Sequence, residues 1–357
     1  MPRLNTELDN LRTALDWCRM HDEQTGLLLA GCITRFWDIR GHLTEGRRWL
    51  NSLLAESPQR TSLRAKALYT SGHLASRQGD NAEGIRLLEE SLAIYSEVGD
   101  QIGTASALER LGITTALLGN NDLGIAHLER SISLFRRIGY KVGLGWALGS
   151  LGMYSRTIGD YSAALDALNE SYALTRETGD LHGQAYALNN LGQLARVRGD
   201  YDAAWNLLQE CLEVSRRMVN KPFICWALEC LSTVARMRGD YTEAQVTLQG
   251  SLEVSREIGI LRHLARCIYS FAVLAVHFGS YLGAVRLYAA ALNLHPNIKL
   301  SLDADEVAEW DDAFDTARTA LSVEAFAQAW AEGEAMTWDQ ASDYAIESVP
   351  SITHPSE

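Results

Sequence analysis

Proline is scarce, with six residues in 357 and none between Pro58 and Pro222. Proline breaks helices, so a stretch that long without it excludes a loop-rich β fold and favours helices. Cysteine is equally sparse: Cys18, Cys32, Cys211, Cys225, Cys230 and Cys267. None forms a CxxC pair, and Cys225 and Cys230 stand on different faces of a helix, so no zinc or redox motif is present. Thiols within apolar helical patterns act as small hydrophobes, a usage that fits a reducing, cytoplasmic setting. Met1 to Leu15 carries Arg3, Glu7, Asp9 and Arg12 with no apolar stretch, which does not read as a signal peptide. No apolar run reaches the length of a membrane span. Positive charge is in deficit, with 32 Lys and Arg against 45 Asp and Glu and a net charge of −13, which disfavours a nucleic-acid surface.

What the chain has is apolar content, 47%, which excludes disorder, and a repeat. Glycine recurs at Gly79, Gly119, Gly159, Gly199, Gly239 and Gly279, a step of forty. Asp, Asn or Ser follows each one. A second series, Gly99, Gly139, Gly179 and Gly259, marks another turn, with Val219 as its exception. Glycine tolerates the left-handed backbone that ends a helix, and the polar residue after it can cap the next. Each unit is therefore a helix–turn–helix. Seven residues before each inner glycine stands a small residue: Gly72, Gly112, Gly152, Gly192, Ser232 and Ala272. The second helix offers Gly84, Gly124, Ala164, Ala204, Ala244 or Ala284, and Leu88, Leu128, Leu168, Leu208, Leu248 or Tyr288 four later. Small residues let paired helices approach closely while the larger ones fill the gap. One such pair cannot bury its own apolar face, so the units must stack.

The pattern Leu148-x2-Leu151-Gly152-x6-Gly159-Asp160-Tyr161-x2-Ala164-x3-Leu168-x2-Ser171 resembles the tetratricopeptide repeat, in a forty-residue variant. The expected fold is all-α, a right-handed α–α superhelix of antiparallel helix pairs with a C-terminal helical cap. Residues 1–58 read as a divergent N-terminal helical pair turning at Gly41-His42, and 62–300 as six repeats. Residues 301–348 read as capping helices, with Trp310, Phe314, Phe326, Trp330 and Trp338 as packing anchors, and 349–357 as a flexible tail.

The ends carry a narrower resemblance. Asp9-Asn10-Leu11-Arg12-x-Ala14-Leu15-x-Trp17 and Phe36-Trp37-x2-Arg40-Gly41-His42-x2-Glu45-Gly46-Arg47-Arg48-Trp49-Leu50 look like the start of a particular repeat arm. Ala325-Phe326-x2-Ala329-Trp330-x2-Gly333-x2-Met336-Thr337 is similar to how such arms end. They belong to bacterial signal-transduction ATPases of the STAND class, including large LuxR-type ATP-binding regulators, in which the arm senses an inducer or a partner protein. The GxxxxGK[ST] phosphate loop of that class does not occur in this sequence, so ATP hydrolysis does not carry over. The chain reads as an isolated sensor arm or a stand-alone relative of one.

Catalytic groups occur singly. The nine histidines show no HExxH or other metal spacing, and no GxSxG elbow or dinucleotide fingerprint follows a strand. His73 and His277 read as surface or interface groups, and Glu89-Glu90 and Asp311-Asp312 as helix-surface charges. No enzyme activity, cofactor or metal is expected.

The repeat resemblance implies that the first helix of each pair lines a concave groove. One inner position reads Trp146, Tyr186 and Trp226 in three consecutive repeats, and another reads Arg156, Arg196 and Arg236. Asn189, Gln193 and Glu229 stand near the arginines, and Tyr269 could extend the patch. Aromatic faces beside guanidinium groups suit an acidic or carboxylate-bearing peptide. The alternatives are plain: the rings pack on neighbouring first helices, and the arginines, in the last turn of their helices, offset the carbonyl dipole. The function read from this patch is a non-catalytic sensor or adaptor that binds a protein segment or small inducer. A structural scaffold using the convex face and terminal helices is the alternative. Under the groove reading, truncating the three arginines abolishes ligand binding and leaves thermal stability unchanged. The residues alone leave open the oligomeric state and whether the chain's own C-terminal helices fill the groove.

Overall fold

The computed structural model describes residues 6–39, 42–296 and 298–350. Gly41 of the expected first turn and residues 351–357 of the expected tail lie outside the described residues. The described residues are helical throughout, without strands. They form two compact units, one up to Gly183 and the other from Gln184.

The first unit opens with α1 (Leu8–His21), α2 (Glu23–Cys32), α3 (Thr34–Ile39) and α4 (Leu43–Glu56). One hairpin was expected here, but its first arm is broken at Asp22 and Ile33. Asp22 leaves the helical region and its side chain caps α2 by accepting from the Thr25 N–H. The terminal signature residues meet in this segment. Arg12 donates to both carboxylate oxygens of Glu45, at 2.7 and 3.0 Å, and a Cβ at Gly46 would lie 2.7 Å from the Trp37 ring. Regular hairpins follow: α5 (Ser62–Arg77) with α6 (Asn81–Glu97), α7 (Gln101–Leu117) with α8 (Asn121–Ile138), and α9 (Lys141–Thr157) with α10 (Tyr161–Thr178).

The helix α11 (Leu181–Val197) runs into the second unit. There follow α12 (Tyr201–Arg217), α13 (Lys221–Met237), α14 (Tyr241–Ile258), α15 (Leu261–His277) and α16 (Tyr281–Leu294). A 3-10 turn at Ile298–Ser301 leads to α17 (Ala304–Thr319), α18 (Val323–Glu334) and α19 (Trp338–Glu347). The helix α18 packs along α16. Gly333 makes this possible: a Cβ there would stand 2.2 Å from the Arg286 carbonyl oxygen.

The forty-step pattern has a direct structural cause. In the repeats with a glycine at this position, Gly72, Gly112, Gly152 and Gly192, it lies against the leucine and small residue of the second helix. A Cβ at Gly112 would stand 2.7 Å from Leu128 Cγ and 2.8 Å from the Gly124 carbonyl oxygen. At Gly152 and Gly192 the facing leucines, Leu168 and Leu208, would be 2.5 and 2.7 Å away. Where serine replaces glycine, Ser232 Oγ donates to the Ala244 carbonyl at 2.9 Å. A second tie recurs between paired helices, as Ser91, Ser131 and Ser171 hydroxyls donate to the Ala65, Ala105 and Gly145 carbonyls at 2.7–2.8 Å. Cys211 takes the serine's place, its Sγ 3.2 Å from the Ala185 carbonyl, and burial pushes its thiol up to about 12. Asn120, Asp160, Asp200 and Asp240 cap the second helices, each accepting from the backbone N–H three residues on.

Gly112→Ala is expected to cost about 1–3 kcal/mol, because neither the Gly124 backbone nor the Leu128 branch point can give way cheaply. Val219→Gly is expected to do the opposite. Val219 holds φ 52 with its side chain exposed, and relieving a β-branched left-handed residue recovers more than glycine's added chain entropy takes away, for a net gain of about 0.5–1 kcal/mol. Denaturation midpoints of the two variants against the parent chain check both signs.

Candidate functional site

In the second unit, the first helices α11, α13 and α15 bring the expected residues to one face. Tyr186 and Trp226 are half-buried, their ring centroids 6.0 Å apart and tilted by 42°. Phe223 packs on Trp226 at 5.8 Å. The Tyr186 and Trp226 rings thus meet across the neighbouring first helices α11 and α13. Trp146, in the first unit, is half-buried and donates its indole N–H to Asp180 at 2.8 Å, and Arg156 is buried.

Arg196 and Arg236 stand in the last turns of α11 and α13. Their side chains are 1% and 0% exposed, and both face carboxylates of the C-terminal segment. Arg196 pairs with Asp303 at 2.5 Å, with Asp305, and with Glu306 at 3.4 Å. Arg236 grips Glu309 with two parallel bonds of 2.9 and 2.8 Å, the strongest geometry available to this pair. Arg266, on α15, bridges Glu229 at 3.1 Å and Glu306 at 3.3 Å. Glu229 also meets His263 Nδ1 at 2.8 Å. Gln193 lies 3.5 Å from Arg196 and 3.4 Å from Asn189, whose amide in turn reaches Cys230. Tyr269 stacks on Trp310 of α17 at a centroid distance of 3.9 Å.

Whether the chain's own C-terminal helices fill the face at Arg196, Arg236 and Tyr269 was open from the residues alone; in this unit α17 covers it. Stability also changes sides. Removing one partner of a buried ion pair costs about 3–5 kcal/mol, so truncating Arg196 or Arg236 destabilises the chain instead of leaving its stability unchanged. The decisive carboxylates, Asp303, Asp305, Glu306 and Glu309, were missed in the sequence. Their signal was present as an acidic run whose members Asp303, Glu306 and Glu309 recur at helical spacing. Arg266 stands forty residues after Trp226, at the same position of the next first helix, and nothing local to it marks a third guanidinium of the set.

Helix α17 is built to present these acids. Asp303 and Glu306 form a reciprocal capping box at its N-terminus, and carboxylates there also complement the helix dipole. Burial would raise the Glu306 pKa, but Arg266, Arg196 and Arg236 hold it below the ordinary carboxylate range. Asp305 moves the other way, because burial raises it more than Arg196 lowers it. No group of three His, Cys, Asp or Glu among the described residues is placed to hold a metal ion, and no described helix is long and apolar enough to cross a membrane.

This architecture defines a class, the all-α superhelical repeat proteins that generally serve as protein-interaction scaffolds. Models of the tetratricopeptide repeat match residues 63–122, 104–177 and 184–222. These matched segments are tetratricopeptide repeats. Among curated proteins it is similar to two named as HTH-type transcriptional regulators, Mb0914c of Mycobacterium bovis and Rv0890c of Mycobacterium tuberculosis. Each is 33% identical over 123 residues, 32% of this chain but only 14% of the regulator's length. Among solved structures it is similar to a Rap protein complexed with Competence and Sporulation Factor. The TM-score is 0.67 at 14% identity, covering 90% of this chain and 87% of that one. The hetero-tetramer Cut9–Hcn1 gives a TM-score of 0.51 at 17% identity, covering 87% and 60%. At these identities the structural likeness is one of fold.

Folded Glu306 releases its proton more readily than the unfolded chain does. Its ion pairs therefore stabilise the docked α17 fully above about pH 4.3, and that contribution is lost as the pH falls through the lower folded value. Asp305 acts with opposite sign, since protonation there relieves a buried charge. Near-ultraviolet circular dichroism is expected to show the Trp310–Tyr269 environment loosening below about pH 4. Glu306→Gln is expected to weaken docking at neutral pH and to flatten that acid transition.

Proposed function

We propose that the chain is a non-catalytic interaction arm of a bacterial signalling or transcription-regulatory system, working in the cytoplasm. It takes a peptide segment or a small inducer on the concave face of its first helices. In this reading residues 62–300 are six recognition repeats, and 1–58 and 301–348 close the two ends. The observation that carries the reading is the first-helix face of the second unit, where Arg196, Arg236, Arg266 and Tyr269 already hold a polypeptide segment through buried side-chain contacts. Each buried guanidinium in the set is matched by a carboxylate, an arrangement for holding a chain rather than for moving protons.

The regulator context rests on the 123-residue likeness to the mycobacterial proteins and on the terminal motifs shared with STAND-class arms. The repeat fold itself favours a protein or peptide partner over a metabolite-processing role. Tyr186 and Trp226, half-buried beside the arginine set, are the aromatic part of the recognition face, with Asn189, Gln193 and Glu229 as its polar floor. Trp146 and Arg156 are the corresponding residues of the first unit.

The test is affinity capture from the source cell with the full chain as bait, followed by mass spectrometry, and repeated with a Tyr186→Ala, Trp226→Ala bait whose helix content matches the parent. The expected result is a partner recovered by the parent and depleted with the variant. Equal recovery of the same partners by both baits overturns the groove reading and assigns the contacts to the convex face or terminal helices.

A further inference from the structure

Helix α17 enters the first-helix face of the second unit by its N-terminal half. Asp303, Asp305, Glu306 and Glu309 contact Arg196, Arg266 and Arg236, and Trp310 lies over Tyr269. The contacting side chains stand at i, i+2, i+3, i+6 and i+7 of one short segment. The receiving guanidinium groups come from three successive first helices, so they read the segment along its length.

This seat is not a perfect fit for its resident. Glu229, Asp303, Asp305, Glu306 and Glu309 bring five carboxylates to three guanidinium groups. Among the described residues, three buried polar atoms at the seat find no hydrogen-bond partner: Asp305 Oδ1, the Trp310 indole N–H and the Tyr288 hydroxyl. Tyr288 belongs to the receiving side, its ring edge-on to both Tyr269 and Phe314. A segment that offers the same acids and also satisfies such groups binds the face better than α17 does, because each unmet buried donor or acceptor carries a desolvation cost.

We propose that α17 is a resident stand-in for the true ligand of this face, and that the ligand is an acidic helical segment of a partner protein. That segment carries carboxylates at i, i+2, i+3 and i+6 followed by an aromatic residue at i+7. The partner docks by displacing the N-terminal half of α17 from Arg196, Arg236 and Arg266. The proposal rests on the interaction-arm reading above and adds the chemistry of the partner to it.

The test uses a dye-labelled synthetic peptide of residues 301–316 and the full chain. In one arm, fluorescence anisotropy compares the parent with the Asp303→Asn, Asp305→Asn, Glu306→Gln, Glu309→Gln variant, whose own α17 no longer competes. The peptide is expected to bind the variant about tenfold or more tightly than the parent, since a resident competitor lowers the fraction of open seats. Added salt and Arg236→Ala in the variant are each expected to weaken that binding, and the same peptide with its acids amidated is expected not to bind. Equal affinity for parent and variant, or no binding to a variant that keeps its helical circular dichroism, overturns the proposal.

If the variant does not fold, hydrogen–deuterium exchange on the parent decides. Saturating peptide is expected to speed exchange of the chain's own amides at 304–312 while α15 stays protected. Unchanged exchange at 304–312 overturns the proposal, and a concentration-dependent dimer showing that same insensitivity would assign the seat to a second copy. A partner captured by the parent bait and lost with Tyr186→Ala, Trp226→Ala, together with a peptide that fails both arms, leaves the interaction-arm reading standing and removes only this one.

Discussion

Close contact between the two helices of each pair is the constraint on which the structure depends. A glycine on the first helix meets a leucine branch point and a backbone carbonyl on the second at distances that leave no room for a methyl group. Once that contact is set, each pair has one register. The recurrent hydroxyl-to-carbonyl tie, from Ser131 to Ala105 or from Ser171 to Gly145, holds the same register from a second point on the helix. Side chains at one position of successive first helices then recur at a fixed place in every unit. A solenoid of this kind does not need a closed core, because each pair is completed by its neighbours.

That regularity gives Arg196, Arg236 and Arg266 their common face, and burial gives them their need for partners. A guanidinium removed from water is costly unless it is paired and hydrogen-bonded. Burial works against the charge on Arg196, yet Glu306, Asp303 and Asp305 raise its pKa above the ordinary value. The acids arrive together because they sit on the first two turns of one capped helix. Ion pairs this deep contribute less to net stability than to choice. A hydrophobic segment of similar volume would leave Arg196 and Arg236 unmatched, so the face discriminates by the penalty it imposes on wrong occupants.

The parts legible in the sequence were those that local chemistry sets. Gly79 to Gly279 marked the helix ends, Val219 stood out as the odd residue at such an end, and Gly112 with Leu128 announced close packing before any distance was known. Cys211 illustrates a middle case. It looked like one more apolar thiol, whereas its place in the repeat is that of Ser91, Ser131 and Ser171, and its thiol makes their contact. The candidate residues were legible as a set but not in their state. Nothing local to Arg196 reveals that its partner Asp305 lies 109 residues further on, because repeat periodicity fixes which way an inner side chain points and not what covers it. The break of the N-terminal arm at Asp22 was hidden for a related reason, since Leu8, Leu11 and Leu15 share a helical face whether the helix continues or stops.

The terminal helices do two different jobs, and the distinction follows from their surfaces. Helix α18 runs along α16 with Gly333 pressed to the Arg286 backbone, and Phe326 and Trp330 join Phe314 in one aromatic cluster. That is the apolar closure a repeat array requires at its end. The first half of α17 contributes little to such closure. Its contacts are carboxylate to guanidinium, with Trp310 as the single large ring, and Asp311 and Asp312 face outward. A segment held by charge at one end and by apolar packing at the other separates most readily at the charged end, where the Asp305 and Glu309 side chains keep part of their surface in water. Because each repeat is stabilised by its immediate neighbours, lifting that half-helix leaves the pairs from α11 to α16 with their own interlocks intact. The cap can therefore remain closed while the face beneath its acidic arm changes occupant.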